Sequence, residues 1–210
     1  MVKSSPTGRR AGLDRADMVT KALELVEAEG PDALTMRRLA AELDVTTTTI
    51  YWHVGSRDEL ITEIIRQQSE QLAARPIKGT TPRQRIMAAA THIWESAVEH
   101  RAITSLAHQS GASSLLQHPL EVALAAELEA AGLTGPAAAL AQRSILATIT
   151  GFLVLALRDE ASIREDSRST TLWASTEADL DRSTIDALAA PHDLPKLFEV
   201  TLQAVVDSQL

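Results

Sequence analysis

The chain has 210 residues, a formal net charge of −8 and no cysteine. That length can bury a substantial core in one large domain or two modest ones, and the lack of cysteine excludes disulfides and thiolate metal sites. Hydrophobic residues make up 45% of the chain, mainly Ala and Leu, and aromatics only 3%, which favours helices and predicts an all-α fold.

Residues 1–12 read as a flexible basic arm with Lys3, Arg9 and Arg10 and without the apolar stretch of a secretory signal. From Asp14 to Glu29, DRADMVTKALELVEAE puts Ala16, Val19, Ala22, Leu23 and Val26 near one helical face. Gly30-Pro31 ends that helix, since Gly suits the position past a helix end and Pro cannot continue it. Thr35 can cap the next helix, whose stripe is Leu39, Ala40 and Leu43, and a turn follows at Asp44-Val45.

The stretch TTTTIYWHV, Thr46 to Val54, holds the single tyrosine beside Trp52 and His53. Its threonines favour a strand by propensity. Ile50 and Val54 fall four apart, however, the helical spacing, and Thr46 suits an N-cap. A lone strand among helices would also leave its backbone groups without a ladder, so a helix is expected. Ser56-Arg57-Asp58-Glu59 then reads as a capping box opening a helix through Ile61, Ile64, Ile65, Ser69 and Leu72. Two short helices around a tight turn, flanked by longer ones, make a helix-turn-helix module over 13–75.

After the linker 76–82, an all-helical region is expected over 76–210. Its helices run from Arg83 to about Arg101, around Ile103 to Gln109, from Leu115 to Ala131, and from Pro136 to near Asp159. Residues 160–192 read as irregular apart from a short helix at Ser183 to Ala190. The last helix puts Leu194, Leu197, Phe198, Thr201, Leu202, Val205 and Val206 on one broad face. The apolar run Ile145 to Leu157 is shorter than the ~20 residues of a membrane span and lies between Arg143 and Arg158, so it reads as a buried helix. A cytoplasmic protein with no membrane partner is expected.

The segments LTMRRLAAELDV (Leu34 to Val45), TTTTIYWHV and GSRDEL (Gly55 to Leu60) resemble the tetracycline-repressor-type (TetR family) transcriptional regulators. The resemblance covers roughly residues 14–72. It implies a homodimer that binds double-stranded operator DNA and acts as a repressor until a small-molecule effector enters the C-terminal domain, built on a three-helix N-terminal domain and a C-terminal helical bundle. The chain departs from the pattern at Asp44, where the turn usually carries Gly, although Asp tolerates the left-handed conformation. It also departs at Thr46-Thr47-Thr48, which implies a different operator. The family's drug and magnesium ligands find no secure counterpart in 76–210.

In such a module the start of the second helix meets base edges and its flanks meet phosphates. Thr47 and Thr48 would offer a hydroxyl to either base type and a methyl to thymine, and Arg37 is the candidate for a fork on guanine. Thr35, Tyr51, His53 and Arg57 resemble the family's phosphate-contacting positions, and Thr46 is counted with them. Trp52 is expected to pack partly on the duplex and partly on its own domain. The plainer reading makes Tyr51 and Trp52 core aromatics and Arg38 a solvated helix residue. Residues 1–57 carry eight basic and eight acidic groups, so the module is neutral overall and the acidic surplus lies beyond it.

His92, Glu95 and Glu99 share a helical face, but no HExxH pattern exists, so no metal or other cofactor is expected. No Gly-x-Ser-x-Gly or phosphate loop is present, so the chain is not expected to be an enzyme. Trp94, His100, Leu116, Thr148, Phe152 and Trp173 are the candidate lining of a ligand pocket. The helices from Pro136 to Asp159 and from Pro195 to Leu210 resemble the family's dimer-forming pair, with Ala147 and Gly151 small enough for close approach. An activator on the same fold, or a helical ligand-binding or scaffold protein with a vestigial helix-turn-helix, are the rival readings.

Overall fold

A computed structural model describes residues 14–157, 170–177, 179–191 and 193–210, and among them there is no strand. Helix α1 is Arg15–Glu29, α2 is Met36–Glu42, α3 is Thr47–Val54 and α4 is Arg57–Ala73. Beyond the linker come α5 (Pro82–Glu99), α6 (Arg101–Gln109), α7 (Ser113–Ala130), α8 (Gly135–Ala156), α9 (Arg182–Ala189) and α10 (Leu194–Asp207).

Local chemistry sets the boundaries. The carboxylate of Asp14 accepts from the Asp17 N–H at 2.9 Å and that of Asp17 accepts from the Asp14 N–H at 3.0 Å, which opens α1 with reciprocal caps. Thr35 Oγ1 accepts from the Arg38 N–H at 3.1 Å, and Ser56 and Glu59 form the expected capping box on α4. Asp44 sits at φ 52° in the α2–α3 turn, and the Val45 N–H donates to Ala40 O at 3.0 Å, tying off the end of α2. Asp thus occupies a left-handed position that favours glycine.

Contacts divide the chain into two compact units, one of residues 14–74 with 100–118 and the other of residues 75–99 with 119–210. In the first unit, Met18, Val19, Ala22, Leu25 and Val26 of α1 are buried, along with Ile50 and Val54 of α3 and Ile61, Ile64 and Ile65 of α4. Ala16 is exposed and Leu23 half-buried. The buried stripe of α1 is therefore turned toward Met18 and Leu25, because α2, α3, α4 and α6 all pack on this helix. The chain returns to this unit at α6, whose Ile103, Leu106 and Ala107 are buried.

The helix expected over 83–101 breaks at His100, whose ψ of 51° is not helical and which precedes α6. α7 starts at Ser113, two residues before the expected start, and contains Pro119. Residues 170–174 form a helical turn where irregular chain was expected, while Asp159 and the arm with Arg9 and Arg10 lie outside the described residues.

In the second unit α5, α8 and α10 pack on one another around Ile86, Ala90, Ile145, Ile149, Phe198 and Leu202. Arg83 bridges α5 to Asp207 at the end of α10 through two bonds of 2.5 and 2.8 Å, and Arg85 reaches Glu127 of α7 at 2.6 Å. α8 is the main difference from expectation. Its alanine-rich first half is also helical, so its 22 residues are long and apolar enough to cross a membrane. Yet only Ala141, Ile145, Ile149 and Leu153 are buried, one stripe of a helix expected to be buried more fully.

Candidate nucleic-acid interface

Helix α3 has two faces with different chemistry. Ile50 and Val54, four residues apart, anchor it in the core of the first unit. On the other side Thr47, Thr48, Tyr51 and Trp52 face solvent, with Tyr51 52% and Trp52 80% exposed. Trp52 meets the ring of His53 edge-on at a centroid distance of 4.7 Å. The core-aromatic alternative for Tyr51 and Trp52 is therefore not what the fold adopts.

The threonines separate by role. Thr46 Oγ1 accepts from the Thr49 N–H at 3.2 Å and shares a 2.9 Å hydrogen bond with the Thr49 hydroxyl, so it is engaged in capping α3. The hydroxyls of Thr47 and Thr48 are engaged by no other described residue. They stand at the start of the helix, where orphan backbone N–H groups also point outward.

The neighbouring cations divide similarly. Arg38 binds Glu29 and Glu42, each at 2.9 Å, and is spent within the domain. Arg37, one residue earlier on α2, is exposed and forms no ion pair with a described residue. Arg57 donates through Nε to Leu34 O at 3.0 Å, which locks the first turn of α4 to the loop before α2. Thr35 is exposed although its hydroxyl caps α2, and His53 is half-buried.

The six candidate pocket residues do not form one cluster. Trp94 stacks on Phe198 at 4.5 Å between centroids, and Phe152 meets the same ring edge-on at 5.3 Å. Thr148 donates its hydroxyl to Ser144 O at 2.9 Å within α8, and Trp173 lies half-buried on the turn at 170–174. His100 and Leu116 belong to the other unit, where His100 Nδ1 lies 3.1 Å from a Glu27 carboxylate oxygen. The residue that joins Trp94 to Phe152 is Phe198, which sequence patterning presented only as one member of an apolar face. Among the described residues, no group of three His, Asp or Glu is placed to hold a metal ion.

Residues 19–64 match the family of bacterial regulatory proteins described as the tetR family. The class E tetracycline repressor of Escherichia coli is 29% identical over 106 residues, which are 49% of this chain and 46% of that protein. The class D repressor from the same organism is 38% identical over 64 residues, 29% of each chain. The chain thus spans less than half the length of these relatives. The TetR family protein ActR of Streptomyces coelicolor, in complex with actinorhodin, shares the fold with a TM-score of 0.69 at 22% identity, over 95% of this chain and 97% of that one. The N-terminal module around α2, the turn and α3 thus matches the tetR family of bacterial regulatory proteins, and the described remainder of the chain shares the all-helical fold of its structural neighbour.

Proposed function

We propose that this chain is a DNA-binding transcriptional repressor that acts as a homodimer and leaves its operator when a small molecule binds the C-terminal helices. One observation carries the reading. α3 is held by Ile50 and Val54 while Thr47, Thr48, Tyr51 and Trp52 on α3, and Arg37 on α2, are exposed. Thr47 and Thr48 read base edges, and Arg37 supplies a bidentate donor for guanine O6 and N7. Thr35, Tyr51, His53 and Arg57 lie along the phosphates, where contacts fix register without reading sequence. Trp52 rests its exposed ring on the duplex, and Thr46 contributes by holding the helix start in place.

The dimer is supported by α8 and α10. Leu140, Ala147, Gly151 and Val154 form an exposed stripe on α8, and Leu197, Val200 and Ala204 form one on α10. A side chain at Gly151 would meet nothing within 4 Å, so a second backbone can come close there. A twofold pair would set its two α3 helices about one DNA turn, ~34 Å, apart. The neighbour in complex with actinorhodin supports a small-molecule effector. A coupling of only ~1–3 kcal/mol between sites gives a 5–150-fold change in DNA affinity. A regulator of this kind works in the compartment that holds the DNA, the cytoplasm.

Fluorescence anisotropy with duplexes from the DNA flanking the chain's own gene tests the reading. Saturable binding to one palindromic segment, lost in the double variant Arg37→Ala, Thr47→Ala, is expected. Equal binding by that variant and the parent would overturn it.

A further inference from the structure

The second unit contains a groove of about 1210 Å³ walled by α5 and α10 and by the segment 75–78. It is at least as roomy as the ~300–1,000 Å³ typical of small-molecule pockets. Its aromatic wall is the Trp94–Phe198 stack, whose rings lie within 20° of parallel. Its rim carries Arg75, Lys78, Arg83 and Lys196 against Glu95, Asp193 and Glu199, and Arg83 is paired with Asp207, so opposite charges nearly balance.

The polar atoms of this wall are unusual. Among the described residues, the buried side-chain nitrogens and oxygens without a hydrogen-bond partner are His92 Nε2, Trp94 Nε1 and Ser96 Oγ, all within one short stretch of α5. His92 and Trp94 both line the groove, and Trp94 is only 9% exposed. A buried polar group without a partner costs about 1–3 kcal/mol, so such groups persist where something else uses them. Indole N–H is a donor only, so what it lacks is an acceptor. Burial, and then the charge of Arg75, hold His92 below its ordinary pKa, which keeps the imidazole neutral and able to donate or accept.

We propose that this groove binds a small organic guest that presents a hydrogen-bond acceptor to Trp94 Nε1, with His92 as the second polar contact. The indole N–H selects for a carbonyl or carboxylate. Because the rim is nearly neutral, the acceptor and not its charge decides affinity. Both nitrogens are shielded from water, so a guest reaches them by displacing a lining side chain such as that of Met87. As the effector site, the groove rests on the ligand-responsive part of the proposed function.

Equilibrium dialysis of the full chain against naphthalene, methyl 2-naphthoate and 2-naphthoate tests this. The ester and the acid should bind within a fewfold of each other, and naphthalene roughly five- to tenfold more weakly, the worth of one net hydrogen bond. Trp94→Phe should erase that preference, so that the ester and the acid bind no more tightly than naphthalene does. Ala88→Trp, which fills the groove from its rim, should weaken all three. Equal binding of the three probes, a preference that survives Trp94→Phe, or no saturable binding would each overturn the proposal. The readout is probe bound, not DNA released, so such a failure leaves the DNA-binding reading standing. Loss of that reading in the anisotropy experiment would leave the dialysis result unaffected.

Discussion

Helices α3 and α8 both carry apolar surface that their own chain leaves uncovered, but the two surfaces differ in kind. On α3 the exposed rings belong to Tyr51 and Trp52, each tipped with a hydrogen-bonding group and set beside two free hydroxyls. On α8 the exposed residues include Leu140 and Val154, 62% and 66% exposed, with Ala147 and Gly151 between them. A surface of amphipathic rings stays hydrated alone and can exchange that water for a polar, charged partner. An aliphatic stripe offers only its burial, so it calls for another apolar face, and a twofold axis supplies one from the same sequence. Anchoring differs too: α3 is fixed through two residues, Ile50 and Val54, and α8 through four.

Four changes break or sharpen this contrast. Val154→Asp should have the largest effect, since a charge left unpaired in a buried interface costs about 3–5 kcal/mol. Sedimentation should show monomers where the parent is dimeric, with an unchanged helical circular dichroism spectrum because Val154 touches little of its own chain. Ile50→Ala comes next: a cavity beneath α3 should cost about 2–5 kcal/mol in urea unfolding, whereas Thr47→Ala should stay within about 0.5 kcal/mol. Arg37→Ala should weaken binding to the specific site by about 1–3 kcal/mol and leave the unfolding midpoint in place.

The smallest effect concerns pH. Burial and Arg75 lower the pKa of His92 from its ordinary 6.5, so the folded chain binds fewer protons there than the unfolded one. The stability tied to neutral His92 is present above pH 6.5 and is lost as pH falls through the lowered value. Melting curves between pH 5 and 7.5 should therefore show a steeper acid loss in the parent than in His92→Asn.

The contrast between α3 and α8 also marks what the sequence made legible. The helix at TTTTIYWHV could be read because Ile50 and Val54 and the caps at Thr46 and Ser56 are local signals, carried within a few residues. The exposure of Tyr51 and Trp52 follows from the same periodicity once those two anchors are placed. The faces of α1 were harder, because four neighbouring helices, and not the helix alone, select Met18 and Leu25 for burial. For α8, the apolar composition predicted burial, but composition does not say which of its faces the neighbouring helices cover. The pocket candidates share residue type but no local pattern. Trp94 and Phe152 meet only through Phe198, on a helix distant in sequence, while His100 is drawn to Glu27 in the first unit. Tertiary pairings of this kind leave no periodic trace.

Hydroxyl-radical footprinting on the flanking DNA tests the central claim most directly, that two copies of α3 enter one duplex with Thr47 and Thr48 leading. The account predicts two protected patches about one helical turn apart on one face of the DNA, related by a palindrome, and both weakened together by Thr47→Ala. A single patch, or two patches indifferent to Thr47 and Arg37, would contradict it.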